Sequence, residues 1–173
     1  QTKTRAEVTA AGNNPVYQTI DAGVRFIDSQ GNGLAGGLVA QGQGAWVNIG
    51  NTGPDGTVPW EVFPGTYQYR MTYNHASQIA YYAVPGVVFQ TGRLLILGGG
   101  PFWSNAGGSW WPVPSQTELL PGNYNLYKSA STSTFFATVT IVAGQITTVG
   151  SAFTAPVASA GADFHANEGT SVT

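Results

Sequence analysis

The chain contains no cysteine, a single methionine and little charge: Asp, Glu, Lys and Arg make up 8% of its 173 residues, against roughly 25% in an average soluble domain. Without cysteine there is no disulfide, no thiolate metal site and no cysteine nucleophile. Six Lys and Arg against eight Asp and Glu leave a formal net charge of -2. That balance offers no basic stripe for a phosphate backbone and speaks against nucleic acid as a partner. Long apolar runs are also missing. Stretches such as LLIL at 94–97 fall far short of the ~20 residues of a transmembrane helix, so no membrane insertion is expected. The opening QTKTRAEVTA lacks the apolar segment of a secretion signal, and the chain reads as cytosolic, already processed or cut from something longer.

What the chain does have is glycine (24), proline (10), aromatic residues (12%) and an apolar fraction of 42%. Disordered chains combine low hydrophobicity with high net charge, which is the opposite profile. GNG at 31–33, PDG at 54–56 and PG at 64–65, 85–86 and 121–122 punctuate the chain with turn signals, with no amphipathic helical stretch between them. A turn-rich β protein with almost no helix is expected.

One phrase occurs twice. EVFPGTYQY, starting at Glu61, returns as ELLPGNYNL, starting at Glu118, at an offset of 57 residues, and a repeat of this kind sets the organisation of the chain. Pro64 and Gly65 align with Pro121 and Gly122, and Tyr67 with Tyr124. Proline fixes φ and glycine accepts a positive one, so each PG turns the chain into a strand whose first inward side chain is tyrosine, with a hydroxyl able to satisfy a nearby backbone group. These six residues read as a structural corner. In TYQYRMTY at 66–73, Tyr67, Tyr69, Met71 and Tyr73 alternate with polar residues, as in a half-buried strand. FFATVTIV at 135–142 is rich in β-branched and aromatic residues and reads as a central strand.

Sites for chemistry are sparse. His75 and His165 stand far apart, outside any HxH or HExxH spacing, and read as loop residues. Glu61 and Glu118 would form a glycosidase pair only if the two copies faced each other. DSQGNG at 28–33 lacks the spaced carboxylates of a calcium loop and reads as a hairpin turn. No catalytic residue, metal site or cofactor is expected, and the protein reads as not an enzyme. The aromatic residues are the stronger candidates. Trp103, Trp110 and Trp111 cluster in GGGPFWSNAGGSWWPVP, where adjacent Trp110 and Trp111 point to opposite faces if extended. Together with Tyr81 and Tyr82 they are candidates for a protein interface or for stacking on a sugar, with core packing as the plain alternative. The scarcity of charge implies a surface that is largely covered, by neighbouring copies or by O-linked sugars on tracts such as SASTST at 129–134.

The first copy, in VRFIDSQGNGLAGG, TGPDGTVPWEVFPGTYQYRMTYNHASQ and VVFQTG, resembles tandem β-sandwich repeats of large secreted or surface proteins of bacteria, distantly like prealbumin-type and collagen-adhesin B-type modules. The C-terminal PVASAGADFHANEGTSVT resembles the first strand of a PKD-type domain. The resemblance implies an all-β chain with two tandem small antiparallel β-sandwich modules (Ig-like or prealbumin-like) and extended terminal strands. Residues 1–21 are expected to form a strand segment, the end of a preceding module or a donor strand. Residues 22–92 are expected to form the first sandwich, residues 93–150 the second, and residues 151–173 a linker and PKD-like strand. Collagen-adhesin B-type modules often carry an isopeptide bond, but the only lysines here are Lys3 and Lys128, neither in the early strand of a copy, and no such bond is expected.

These readings lead to an extracellular or cell-surface structural protein, a subunit of a filament or stalk assembled head to tail with copies of itself by strand pairing. The alternative is a carbohydrate-binding or adhesive accessory module of a larger secreted protein, with polysaccharide as partner.

Overall fold

The computed structural model describes residues 18–98, 101–129 and 134–150. Expectations for the terminal segments, 1–17 and 151–173, and for most of SASTST lie outside the described residues. Among the described residues strand follows strand, and the only helical element is one 3-10 turn, Ala106–Gly108.

The first nine strands are β1 (Ile20–Asp21), β2 (Val24–Ile27), β3 (Leu38–Gly42), β4 (Trp46–Asn51), β5 (Thr57–Val58), β6 (Glu61–Val62), β7 (Thr66–Tyr73), β8 (Ala76–Ala83) and β9 (Val88–Gln90). They form a four-stranded antiparallel sheet, β4-β3-β7-β8, a three-stranded sheet, β5-β2-β9, and the short pair β1-β6. Seven more follow: β10 (Gly92–Ile96), β11 (Phe102–Ser104), β12 (Trp111–Val113), β13 (Gln116–Leu119), β14 (Gly122–Tyr127), β15 (Phe135–Ile141) and β16 (Ile146–Val149). Their sheets, β12-β11-β14-β15 and β13-β10-β16, repeat the same strand order. Not every pair is antiparallel: β2 with β9 and β10 with β16 run parallel. In each group an early strand, β2 or β10, lies beside the last, β9 or β16, and a parallel pair needs the long crossover that the four-stranded sheet provides.

The hydrophobic pattern explains the layering. β7 directs Tyr69 and Met71 into a core with Phe26, Val39 and Phe89, and packs Tyr67 and Tyr73 against it, the alternation that the sequence predicts. A second core gathers Leu94, Ile96, Phe102, Trp111, Leu126 and Ile141. Leu120 belongs to the first core although it follows β13, and Ala76 packs against both. FFATVTIV departs from expectation, because β15 is an edge strand and not a central one. Its register shifts opposite Leu126 and Tyr127, so Phe136 packs on the second core while Phe135 is 57% exposed. A bulge of this kind reverses the faces of the residues beyond it.

Candidate functional site

The PG-x-Y echo has a concrete structural counterpart. The Tyr67 hydroxyl donates to the Phe63 carbonyl at 2.9 Å, and the Tyr124 hydroxyl to the Leu120 carbonyl at 2.8 Å. Pro64 and Gly65, like Pro121 and Gly122, occupy the turn that the hydrogen bond closes. Each phenol packs as an apolar body while its hydroxyl donates to a carbonyl at the turn.

Between the two strand groups lies a joint centred on Glu118 of β13. Its carboxylate accepts from the Ser29 amide at 3.1 Å, the Ser29 hydroxyl at 2.8 Å and the Thr91 hydroxyl, and its backbone carbonyl accepts from Asn74 Nδ2 at 2.9 Å. DSQGNG, read from sequence as a hairpin turn, is folded on Asp28: one carboxylate oxygen accepts from the amides of Gln30 and Asn32, both at 2.8 Å. Desolvation opposes ionisation of Asp28, but the hydrogen bonds from Asn32, Gln30 and Gly31 outweigh it and hold the carboxyl below the ordinary range. That turn presents Ser29 to Glu118. The β7–β8 turn supplies the other half. Asn74 and His75 both adopt positive φ, 42° and 64°, as a two-residue hairpin turn requires. His75, expected as a loop residue, stacks on Trp111 with ring centroids 5.1 Å apart and an interplanar angle of 20°. Gly107 has φ of 76°, and a Cβ there would stand 2.0 Å from the His75 carbonyl oxygen, so the backbones approach as only glycine permits.

The head of the first strand group carries the same contact in reduced form. Gln18-Thr19 precedes β1 as Gln90-Thr91 precedes β10, and the Thr19 hydroxyl donates to Glu61 at 2.7 Å as Thr91 does to Glu118. The repeated glutamates that the sequence weighs as a catalytic pair are thus each engaged by the threonine that opens their own strand group.

The aromatic candidates separate into two sets. Trp110 is 38% exposed and packs edge-on against Tyr127, which in turn meets Phe135. Trp103 is half-buried and pairs across its sheet with Pro112 and Tyr127, so Trp103 and Trp110 converge on Tyr127. Trp111 lies in the second core and Tyr82 packs on the first, donating to the Val88 carbonyl. Neither faces solvent as a platform. Tyr81, by contrast, is 71% exposed on β8. β8 is the edge of its sheet and offers eight residues without proline or charge, with Ile79 51% exposed. Edge strands that must not pair are normally guarded by charge, proline or a bulge. The opposite edge in the second group, β12, has Pro112 at its centre.

Among the described residues no three His, Cys, Asp or Glu side chains come together, and no helix is long and apolar enough to cross a membrane. No family model, curated protein or solved structure matches the chain.

Proposed function

We propose that the protein is a non-catalytic extracellular structural subunit, built of two tandem sandwich modules of the Ig-like or prealbumin-like kind and assembled into a filament or stalk through strand pairing between copies. The unguarded edge of β8 carries this reading: eight uncharged residues with exposed Ile79 and Tyr81 form a template for strand addition, where main-chain hydrogen bonds bind and alternate side chains set register. A donor strand from the terminal segment of a neighbouring copy gives a head-to-tail contact that does not close, and so a fibre. Two further observations support a load-bearing role. The Glu118 joint ties the strand groups together by polar, aromatic and apolar contacts at once, and the Thr19–Glu61 contact sets the same latch at the head of the chain. The resemblance of the sequence to secreted bacterial sandwich repeats and to a PKD-type strand supports a cell-surface location for such a subunit. Microscopy of the purified chain and of an Ile79→Glu variant tests the proposal. Fibres from the first and single particles from the second are expected.

A second reading, an accessory module that holds a polysaccharide or adheres to a surface, draws on the exposed aromatic group of Trp110, Tyr127 and Phe135.

A further inference from the structure

The outer face of the β4-β3-β7-β8 sheet carries a groove of about 370 Å³ whose lining includes Gly42, Trp46, Thr66, Tyr67, Gln68 and Tyr81. Its floor follows from strand register. Trp46 pairs with Gly42, Gly42 with Gln68 and Gln68 with Tyr81, so one row crosses all four strands with an aromatic residue at each end. In β7 the alternation that buries Tyr69 and Met71 leaves Gln68 and Arg70 on this outer face, and half-buried Tyr67 also reaches the groove. Gly42 keeps the middle of the row low. A Cβ there would stand 3.1 Å from Gln68 Oε1 and press the amide out of place. Arg70 lies beside the row with its guanidinium 4.6 Å from the centre of the Trp46 ring, which fixes the indole and engages the nearest charge.

We infer that this groove binds a neutral oligosaccharide. The volume falls in the range of small-molecule sites. No acidic or basic side chain is among its lining residues, which disfavours an anionic or cationic ligand. The two aromatic walls offer apolar faces to the C–H faces of pyranose rings. Between them, the Gln68 amide provides both donors and an acceptor, and the Thr66 hydroxyl one of each, matching the mixed donor and acceptor pattern of sugar hydroxyls. An open groove across a flat sheet suits a segment within a longer chain of sugars. The inference is independent of fibre formation: a chain that stays single can bind a glycan, and a fibre can lack the site.

The test is native electrophoresis of the whole chain through gels containing a soluble neutral glucan, xylan, mannan or galactan, with a sulfated polysaccharide as the charged control. Retardation in at least one neutral gel is expected, with little or none in the sulfated gel. Trp46→Ala and Gln68→Ala should each weaken retention about tenfold, the loss expected when an anchoring group is truncated. Ile146→Ala, at an exposed position of the second strand group, should leave it unchanged. Circular dichroism separates lost binding from lost folding for Trp46→Ala, and Gln68→Ala keeps both aromatic walls intact. Unretarded migration in every neutral gel, stronger retention in the sulfated gel, or wild-type retention by folded Trp46→Ala and Gln68→Ala would each overturn the inference.

Discussion

Glu118 in the second strand group accepts hydrogen bonds from both the amide and the hydroxyl of Ser29 in the first, at 3.1 and 2.8 Å. Two strand groups joined only by the short connection at residues 90–92 would pivot. A carboxylate with three donors, flanked by the His75–Trp111 stack, holds them in one arrangement. Glu118→Ala leaves the Ser29 and Thr91 donors without their acceptor and is expected to cost about 2 kcal/mol, the usual scale for hydrogen bonds to a charged group. Small-angle scattering should show a wider spread of shapes for this variant, whereas Glu118→Gln, which keeps an acceptor, should fall between the two. An unchanged scattering profile would show that the carboxylate is not the latch.

Gly107 and Gly108 provide a matched pair at the same joint. Both adopt positive φ, but a Cβ at Gly107 meets the His75 carbonyl oxygen at 2.0 Å, while at Gly108 it meets open space. Gly108→Ala should cost about 1 kcal/mol from backbone strain alone. Gly107→Ala adds a backbone clash and should cost about 3 kcal/mol. Denaturant unfolding of the two variants checks the difference, and equal losses would contradict the close approach.

The two tyrosine corners differ in depth, since Tyr124 is 3% exposed and Tyr67 is half-buried. Phenylalanine at either position keeps the packing and removes one hydrogen bond from a hydroxyl to a carbonyl. Tyr67→Phe should cost about 1 kcal/mol and Tyr124→Phe about 2 kcal/mol, because the stranded Leu120 carbonyl has less access to water. Equilibrium unfolding in urea provides the comparison, and a larger loss at Tyr67 would contradict the ranking.

Burial pushes the hydroxyls of Tyr69 and Tyr124 up to about 12, from an ordinary value of 10.0. Tyr69 also lacks a hydrogen-bond partner among the described residues. A raised folded value means that the unfolded chain loses these protons first. The stabilising contribution is therefore whole below pH 10 and is lost as pH rises toward 12. Asp28 acts in the opposite sense. Its lowered folded value contributes stability above the ordinary carboxyl value of 3.8, lost as pH falls through the folded value. Thermal midpoints measured against pH should fall at both ends, and Tyr124→Phe should soften the alkaline limb alone.

How much of this was legible in the sequence differs from element to element. The PG-x-Y echo and the alternation of β7 are local patterns, and the corners and the inward face of β7 follow from them. The place of β15 was not legible: residues 135–142 read as central because they are apolar and β-branched, but edge or centre is decided by which distant strands pair, and the bulge at Phe136 hides the change of face. Glu118 was visible as a repeated acid. Its partners Ser29, Asn74 and Thr91 were not, because they lie 89, 44 and 27 residues away. Trp46 carries no sequence signal as a lone tryptophan at a strand start, and only the cross-strand row with Gly42, Gln68 and Tyr81 gives it a role. The signal that was available is the polar face of β7, where Gln68 and Arg70 alternate with buried residues.

Strand pairing between copies is the claim on which the proposed function rests, and negative-stain microscopy across a concentration series tests it most directly. The wild-type chain should form unbranched fibres. Deletion of residues 1–17 should leave single folded particles, and so should Ile79→Glu, which places a guarding charge on the β8 edge opposite Arg70. Wild-type chains that stay single at every concentration, or fibres that persist in the Ile79→Glu variant, would contradict the account.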